Sequence, residues 1–113
     1  MDIMVILFAH WVSDFVAQSD YVALNKSNNK WVLAWHSFAY TILMTLFLLP
    51  LYYSNELDFF IRAMILLFAS HFIIDGISSK LNSWLWENDK RHWFFVSIGF
   101  DQMLHYMILL WII

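Results

Sequence analysis

Ala9-His10-Trp11-Val12-Ser13-Asp14-Phe15-Val16-Ala17-Gln18 places a histidine, a carboxylate and an amide inside a stretch that is otherwise apolar from Ile3 onward. Their i, i+4, i+8 spacing stacks His10, Asp14 and Gln18 along one face of a helix. The pattern returns as His71-Phe72-Ile73-Ile74-Asp75 and, with the order reversed, as Asp101-Gln102-Met103-Leu104-His105. Ionisable groups on apolar helices of this kind are costly to insert into lipid, and where they occur they mark ligand, ion or proton sites. These three segments decide both the fold and the search for a function.

The surrounding composition is that of a membrane protein. Of 113 residues, 62% are hydrophobic, 20% aromatic and only 13% charged, against about 25% charged in a soluble domain. Mean hydropathy is +0.62. At about 20 apolar residues per crossing, the length accommodates four spans with short loops, expected over roughly 3–21, 31–53, 59–81 and 92–113. The expected fold is all-α: one transmembrane domain, an integral membrane four-helix bundle. The net charge of −3 carries no basic stripe, which argues against a nucleic-acid partner. The absence of cysteine removes disulfides, thiolate metal sites and cysteine nucleophiles together. The first segment lacks a basic n-region and carries His10 and Asp14 in its middle, so it reads as a retained helix rather than a signal peptide.

Lysine and arginine set the expected orientation. Lys26 and Lys30 lie in the first loop, and Lys80, Lys90 and Arg91 in or beside the third, while Arg62 is the one basic neighbour of the acidic second loop. The positive-inside rule then puts loops one and three in the cytoplasm and both termini outside, in a multi-pass membrane protein. Trp31, Trp35, Trp84, Trp86 and Trp93 fall near the cytoplasmic boundary and Trp111 near the other, as an aromatic belt does. With spans one and three running inward and span four outward, the reversed order of Asp101 and His105 brings all three pairs into the same sense. A layer of His10, His71 and His105 then lies over a layer of Asp14, Asp75 and Asp101, separated by about 6 Å of helix rise. His36 enters near the aspartate layer.

These residues resemble the small bacterial and phage membrane proteins grouped as domain-of-unknown-function family 3307. The resemblance covers nearly the whole chain and rests on His10, Asp14-Phe15, Gln18, Asp20, Asn25-Lys26, His36, His71-Phe72, Ile74-Asp75, Phe100-Asp101-Gln102 and His105. In that family a lysine often stands three residues past the third-span aspartate; here the position is Ser78, with Lys80 further on. The resemblance implies a location in the bacterial inner (cytoplasmic) membrane and no defined activity. A more distant likeness is to membrane-bound metal-dependent hydrolases, which also scatter His and Asp over short helices.

Interhelical hydrogen bonding alone does not account for the pattern. Such bonds average about 0.6 kcal/mol in membranes, whereas three central aspartates cost on the order of 8–10 kcal/mol to insert. A divalent metal (Zn, Mn or Fe) offsets that cost, since neutral imidazoles and ionised carboxylates suit these ions. His10, His36, His71, His105, Asp14, Asp75 and Asp101 are the candidate metal ligands, enough for one ion with supporting carboxylates or for two. Asp14, Asp75 and Asp101 are the candidate catalytic residues, one of them serving as general base toward a metal-bound water, whose pKa such a site lowers to about 7. Gln18 and Gln102 are candidates for holding the ligands by hydrogen bonds. Gly76 and Gly99, beside the motif aspartates, are expected where helices approach closely. Asp20, Asn25 and Lys26 lie at the cytoplasmic mouth, and read either as a solvated positive-inside loop or as a contact for an anionic headgroup. The expected function is metal-dependent hydrolysis of a membrane amphiphile, with membrane lipid as partner or substrate. The alternative is a proton or ion conductor, or a small effector that self-associates or binds a host membrane protein without catalysis. The charge distribution makes a direct prediction: a reporter fused after Ile113 reads outside and one inserted near Asn29 reads inside, with swapped readings reversing the assignment of sides.

Overall fold

The computed structural model describes residues 3–49 and 57–112. Among them there is no strand, and the all-α class holds. Helix α1 covers Ile3–Trp11 and runs into a π-helical turn, Val12–Val16; α2 covers Asp20–Asn25, α3 Lys30–Leu48, α4 Leu57–Glu87 and α5 Arg91–Ile112. The end of the second expected span, past Leu49, and the start of the acidic turn after it lie outside the described residues.

Three helices, α3, α4 and α5, are long and apolar enough to cross a membrane. The opening segment is shorter than the span expected over 3–21. Its regular structure is nine residues of α-helix and a five-residue π turn, closed by the Ala17 N–H donating to the Val12 carbonyl at 2.9 Å. It stops there because Ser19 starts a new helix. The Ser19 hydroxyl accepts from Val22 N–H at 3.3 Å, the usual way a serine N-cap satisfies an orphan donor. Gln18 therefore lies past the helix end rather than on the face that carries His10 and Asp14. Asn29 caps α3 in the same way, its Oδ1 accepting from Trp31 N–H at 2.9 Å.

Helix α4 continues six residues past its expected end and is 31 residues long. It ends in a Schellman turn, with Lys90 N–H donating to the Leu85 carbonyl and Asp89 N–H to that of Trp86. Asp89 takes the left-handed position there, φ 55°, which a short polar side chain tolerates better than most. The reversal lays α5 antiparallel along α4, and α3 packs on the other side of α4.

Burial follows one stripe per helix: Ala63, Leu67, His71 and Asp75 on α4, and Asp101, His105 and Leu109 on α5. On α3 the stripe is Leu33, His36 and Ser37, Tyr40 and Thr41, Met44 and Leu48. The i, i+4 spacing is that of one helical face. The interior divides by depth into an apolar cluster of Ile6, Ala9, Tyr40, Met44, Leu48, Leu67 and Leu109, and a polar part holding every motif histidine and aspartate. Outward faces are the reverse, with Ile65, Ile73, Ile77, Phe95, Phe100 and Met107 all exposed. An apolar exterior of this extent around a polar interior is the inverse of a soluble domain. Thr41 and Thr45 turn their hydroxyls back onto the Ser37 and Thr41 carbonyls, which satisfies them within the helix.

The two glycines differ. A Cβ at Gly76 would lie 3.1 Å from Leu33 Cδ2, so this glycine does let α3 approach α4. A Cβ at Gly99 would meet nothing within 4 Å; contrary to the sequence expectation, no helix approaches there. Gly99→Ala should therefore raise stability by up to about 1 kcal/mol through helix propensity, while Gly76→Ala gains less or destabilises because Leu33 must yield. Thermal unfolding of the two variants in detergent checks this; a Gly76→Ala protein melting above Gly99→Ala would contradict it.

Candidate metal centre

Five elements supply the centre. The π turn presents Asp14, α3 presents His36 and Tyr40, α4 presents His71 and Asp75, and α5 presents Asp101 and His105, with His10 entering from α1. None of these side chains belongs to a residue more than 6% exposed. Their imidazoles form a chain of ring contacts: His36 to His71 at 4.9 Å between centroids, His71 to His105 at 4.7 Å, and His105 to His10 at 5.3 Å. The Tyr40 ring stacks on His71 at 4.0 Å and 16°.

His10 is fully engaged. Gln102 Nε2 donates to Asp101 Oδ2 at 3.0 Å, which turns the amide oxygen toward His10. His10 Nε2–H then donates to Gln102 Oε1 at 2.8 Å, and the Tyr40 hydroxyl donates to His10 Nδ1 at 2.9 Å. With both nitrogens used, His10 offers no free lone pair. It ties α1 to α3 and α5, whereas the sequence reading grouped it with His71 and His105 as a metal donor.

The donors that converge are Asp14, His36, His71 and Asp75, whose ligand atoms lie within 4.8 Å of one another. His36 Nε2 is 3.0 Å from Asp14 Oδ1 and 3.3 Å from Asp75 Oδ2; His71 Nε2 is 3.6 Å from each of the same two oxygens. Two donors bound tetrahedrally to an ion at about 2.0–2.1 Å stand about 3.3 Å apart, so these four edges match the frame of a coordination site. Neither ring nitrogen of His71 has a hydrogen-bond partner, although the residue is completely buried. A buried polar atom left unpaired costs about 1–3 kcal/mol. An ion held between His71 and the two carboxylates removes one of those costs directly.

Asp101 and His105 adjoin this group. Asp101 accepts from the Ser78 hydroxyl at 2.6 Å, which ties α4 to the carboxylate of α5. A lysine comes from the α2–α3 loop: Lys26 Nζ donates to Asp75 Oδ2 at 2.8 Å. It is the one lysine or arginine paired with these carboxylates among the described residues. With neutral imidazoles, three carboxylates and one ammonium leave the centre two negative charges in excess.

A cavity of about 590 Å³ leads from Asp14, Asp75 and Asp101 along α4 to its C-terminal end. Its walls combine neutral polar side chains, Gln18, Ser27, Ser78, Ser79, Asn82 and Ser83, with apolar ones such as Phe15, Leu24 and Ile98, and Trp86 and Phe94 stand farther out along α4 and α5. Its size falls within the range of small-molecule sites, roughly 300–1,000 Å³. Gln18 is thus a wall residue, and Gln102 both lines the cavity and bridges Asp101 to His10.

Tyr40 is absent from the sequence expectation, and Lys26 stands in it at the cytoplasmic mouth but without its bond to Asp75. Tyr40 is four residues past His36 on the same face, a spacing that signals it once His36 is accepted as inward-facing. Lys26 carries no such periodic mark, because a loop side chain reaches the site only through the tertiary fold.

The family model described as Protein of unknown function (DUF3307) matches residues 3–113, and the chain belongs to that family. No curated protein and no solved structure matches the chain. The hydrogen bonds of His10 carry a stability prediction. Tyr40→Phe leaves the buried Nδ1 without its donor and should cost about 1–3 kcal/mol, read as a lowered melting temperature with helix content unchanged by circular dichroism. An unchanged melting temperature would show that the hydroxyl does not hold His10.

Proposed function

We propose that this DUF3307 protein is an integral membrane protein whose His/Asp centre binds a divalent cation and hydrolyses an ester or phosphoester bond of a membrane amphiphile. The observation that carries the metal is His71, whose buried ring nitrogens lack partners while Nε2 stands 3.6 Å from two carboxylates. Charge supports it, since a divalent ion balances the two excess negative charges. Four nitrogen and oxygen donors in a compact frame suit Zn, Mn or Fe.

Hydrolysis is supported by the cavity, which joins the carboxylates to a space of mixed polar and apolar lining roomy enough for a headgroup. A bound divalent ion would supply a polarised water and a Lewis acid for the bond under attack. One of Asp14, Asp75 and Asp101 on the cavity floor would take the proton of a water whose oxygen bonds to the carbonyl carbon or phosphorus, and would return it to the leaving oxygen, which departs as an alcohol. The cavity opens at the end where Lys26, Lys30, Lys90 and Arg91 collect, so in this reading the headgroup enters from the cytoplasmic face.

Metal per chain, measured on protein purified in detergent without chelator, tests the reading. Wild type should hold divalent metal, and His71→Ala should lose it. Asp14→Asn should weaken binding by at least the 10–100-fold typical of carboxylates supporting a metal. Lys26→Met should tighten binding, because the ammonium no longer competes for Asp75 Oδ2. Wild type devoid of metal after metal-replete purification would overturn the reading, and proton flux in liposomes would then identify the chain of imidazoles as a relay. Metal-loaded protein that fails to cleave ester or phosphoester amphiphiles would retain the metal and refute the hydrolysis.

A further inference from the structure

We infer that the centre takes two divalent cations, bridged by the carboxylate of Asp75. This rests on the metal reading above and extends it from one ion to a pair.

The two oxygens of Asp75 face different sets of donors. Oδ2 looks toward His36 and His71 at 3.3 and 3.6 Å. Oδ1 lies 3.7 Å from His105 Nε2, and the same nitrogen is 3.6 Å from Asp101 Oδ1. Asp75, Asp101 and His105 thus make a second buried group with ligand atoms within 4.8 Å of one another. The first position has its four donors without Asp101 or His105, and the two groups share only Asp75.

His105 supplies the independent sign that this second position is built for an ion. Its residue is 3% exposed and its Nε2 has no hydrogen-bond partner, although two carboxylates lie just beyond bonding distance. A structural imidazole so close to two carboxylates would close on one of them to make the bond. Asp101 is meanwhile held from both sides, by Ser78 on Oδ1 and Gln102 on Oδ2, as supporting groups orient a metal-bound carboxylate. The His71 and His105 rings are stacked 4.7 Å apart, so each Nε2 serves a position of its own beside the shared Asp75. Paired catalytic ions stand about 3.5–4 Å apart, a separation one carboxylate bridges.

The pair also fits the ligand. Two divalent ions exceed the three carboxylates by one positive charge, which an anionic oxygen of a phosphoester would balance. Lys26 is then released from Asp75 Oδ2 into the cavity whose wall it already forms, where its ammonium meets the same anion. The substrate class narrows to a phosphate-bearing amphiphile.

Manganese(II) is the probe. The full chain in detergent, titrated with Mn(II), should bind two ions, and electron paramagnetic resonance should show the exchange-coupled spectrum of a close pair. His105→Ala should bind one ion and give an uncoupled spectrum, while Asp75→Asn should weaken both positions. One ion per wild-type chain with an uncoupled spectrum overturns the pair and leaves the single-ion reading standing; no bound ion overturns both. The wild-type spectrum decides the matter even if the variants do not fold. Two uncoupled ions, or coupling that survives His105→Ala, would remove His105 and the Asp75 bridge from the account.

Discussion

Three carboxylates enclosed by apolar helices impose the condition that the rest of the molecule meets. Each loses its hydration on insertion, at about 2.5–3.5 kcal/mol on the translocon scale, and none can recover that from packing. Compensation has to come from charge or from donors brought to the same depth. The protein uses Lys26 on Asp75, Ser78 and Gln102 on Asp101, and His36 on Asp14. These contacts come from the α2–α3 loop, α3, α4 and α5, so meeting the condition is also what fixes how those elements sit against one another. His71 and His105 stand apart in having buried nitrogens that this network does not use.

The scaffold is economical because one spacing serves two ends. The i, i+4 stripe that buries Leu67 on α4 also delivers His71 and Asp75, and the stripe ending at Leu109 on α5 begins with Asp101 and His105. Apolar packing at one depth holds polar chemistry at another without a loop between them. Sites on helices are placed more stiffly than sites on loops, and here Lys26 is the loop-borne exception.

Much of this was legible in the residues. The all-α class follows from apolar runs of spanning length, and the motif pairs from their spacing, which survives in the structure because α4 and α5 are uninterrupted through them. What was not legible has physical reasons. The hydroxyl of Ser19 outcompetes helix continuation, which no count of apolar residues registers. The last turns of α4 are kept helical against α5 and the cavity, so hydropathy ends the helix too early. His10 looks identical to His71 in sequence; only the positions of Tyr40 and Gln102, thirty and ninety-two residues away, make it a structural tie. Gly99 shows the limit of inferring packing from a small residue, since its missing side chain faces open space.

The length of α4 has one more consequence. Its 31 residues extend about 46 Å at 1.5 Å per residue, against a hydrocarbon core of about 30 Å. In the proposed membrane placement its last turns stand among the headgroups, and Asp75 lies about 18 Å along the axis from Glu87 at the cavity mouth. The helix then works as a ruler. A molecule anchored in the bilayer by its chains presents to the carboxylates only the bond at the matching depth, so selectivity can come from where a linkage sits along a lipid as much as from what surrounds it.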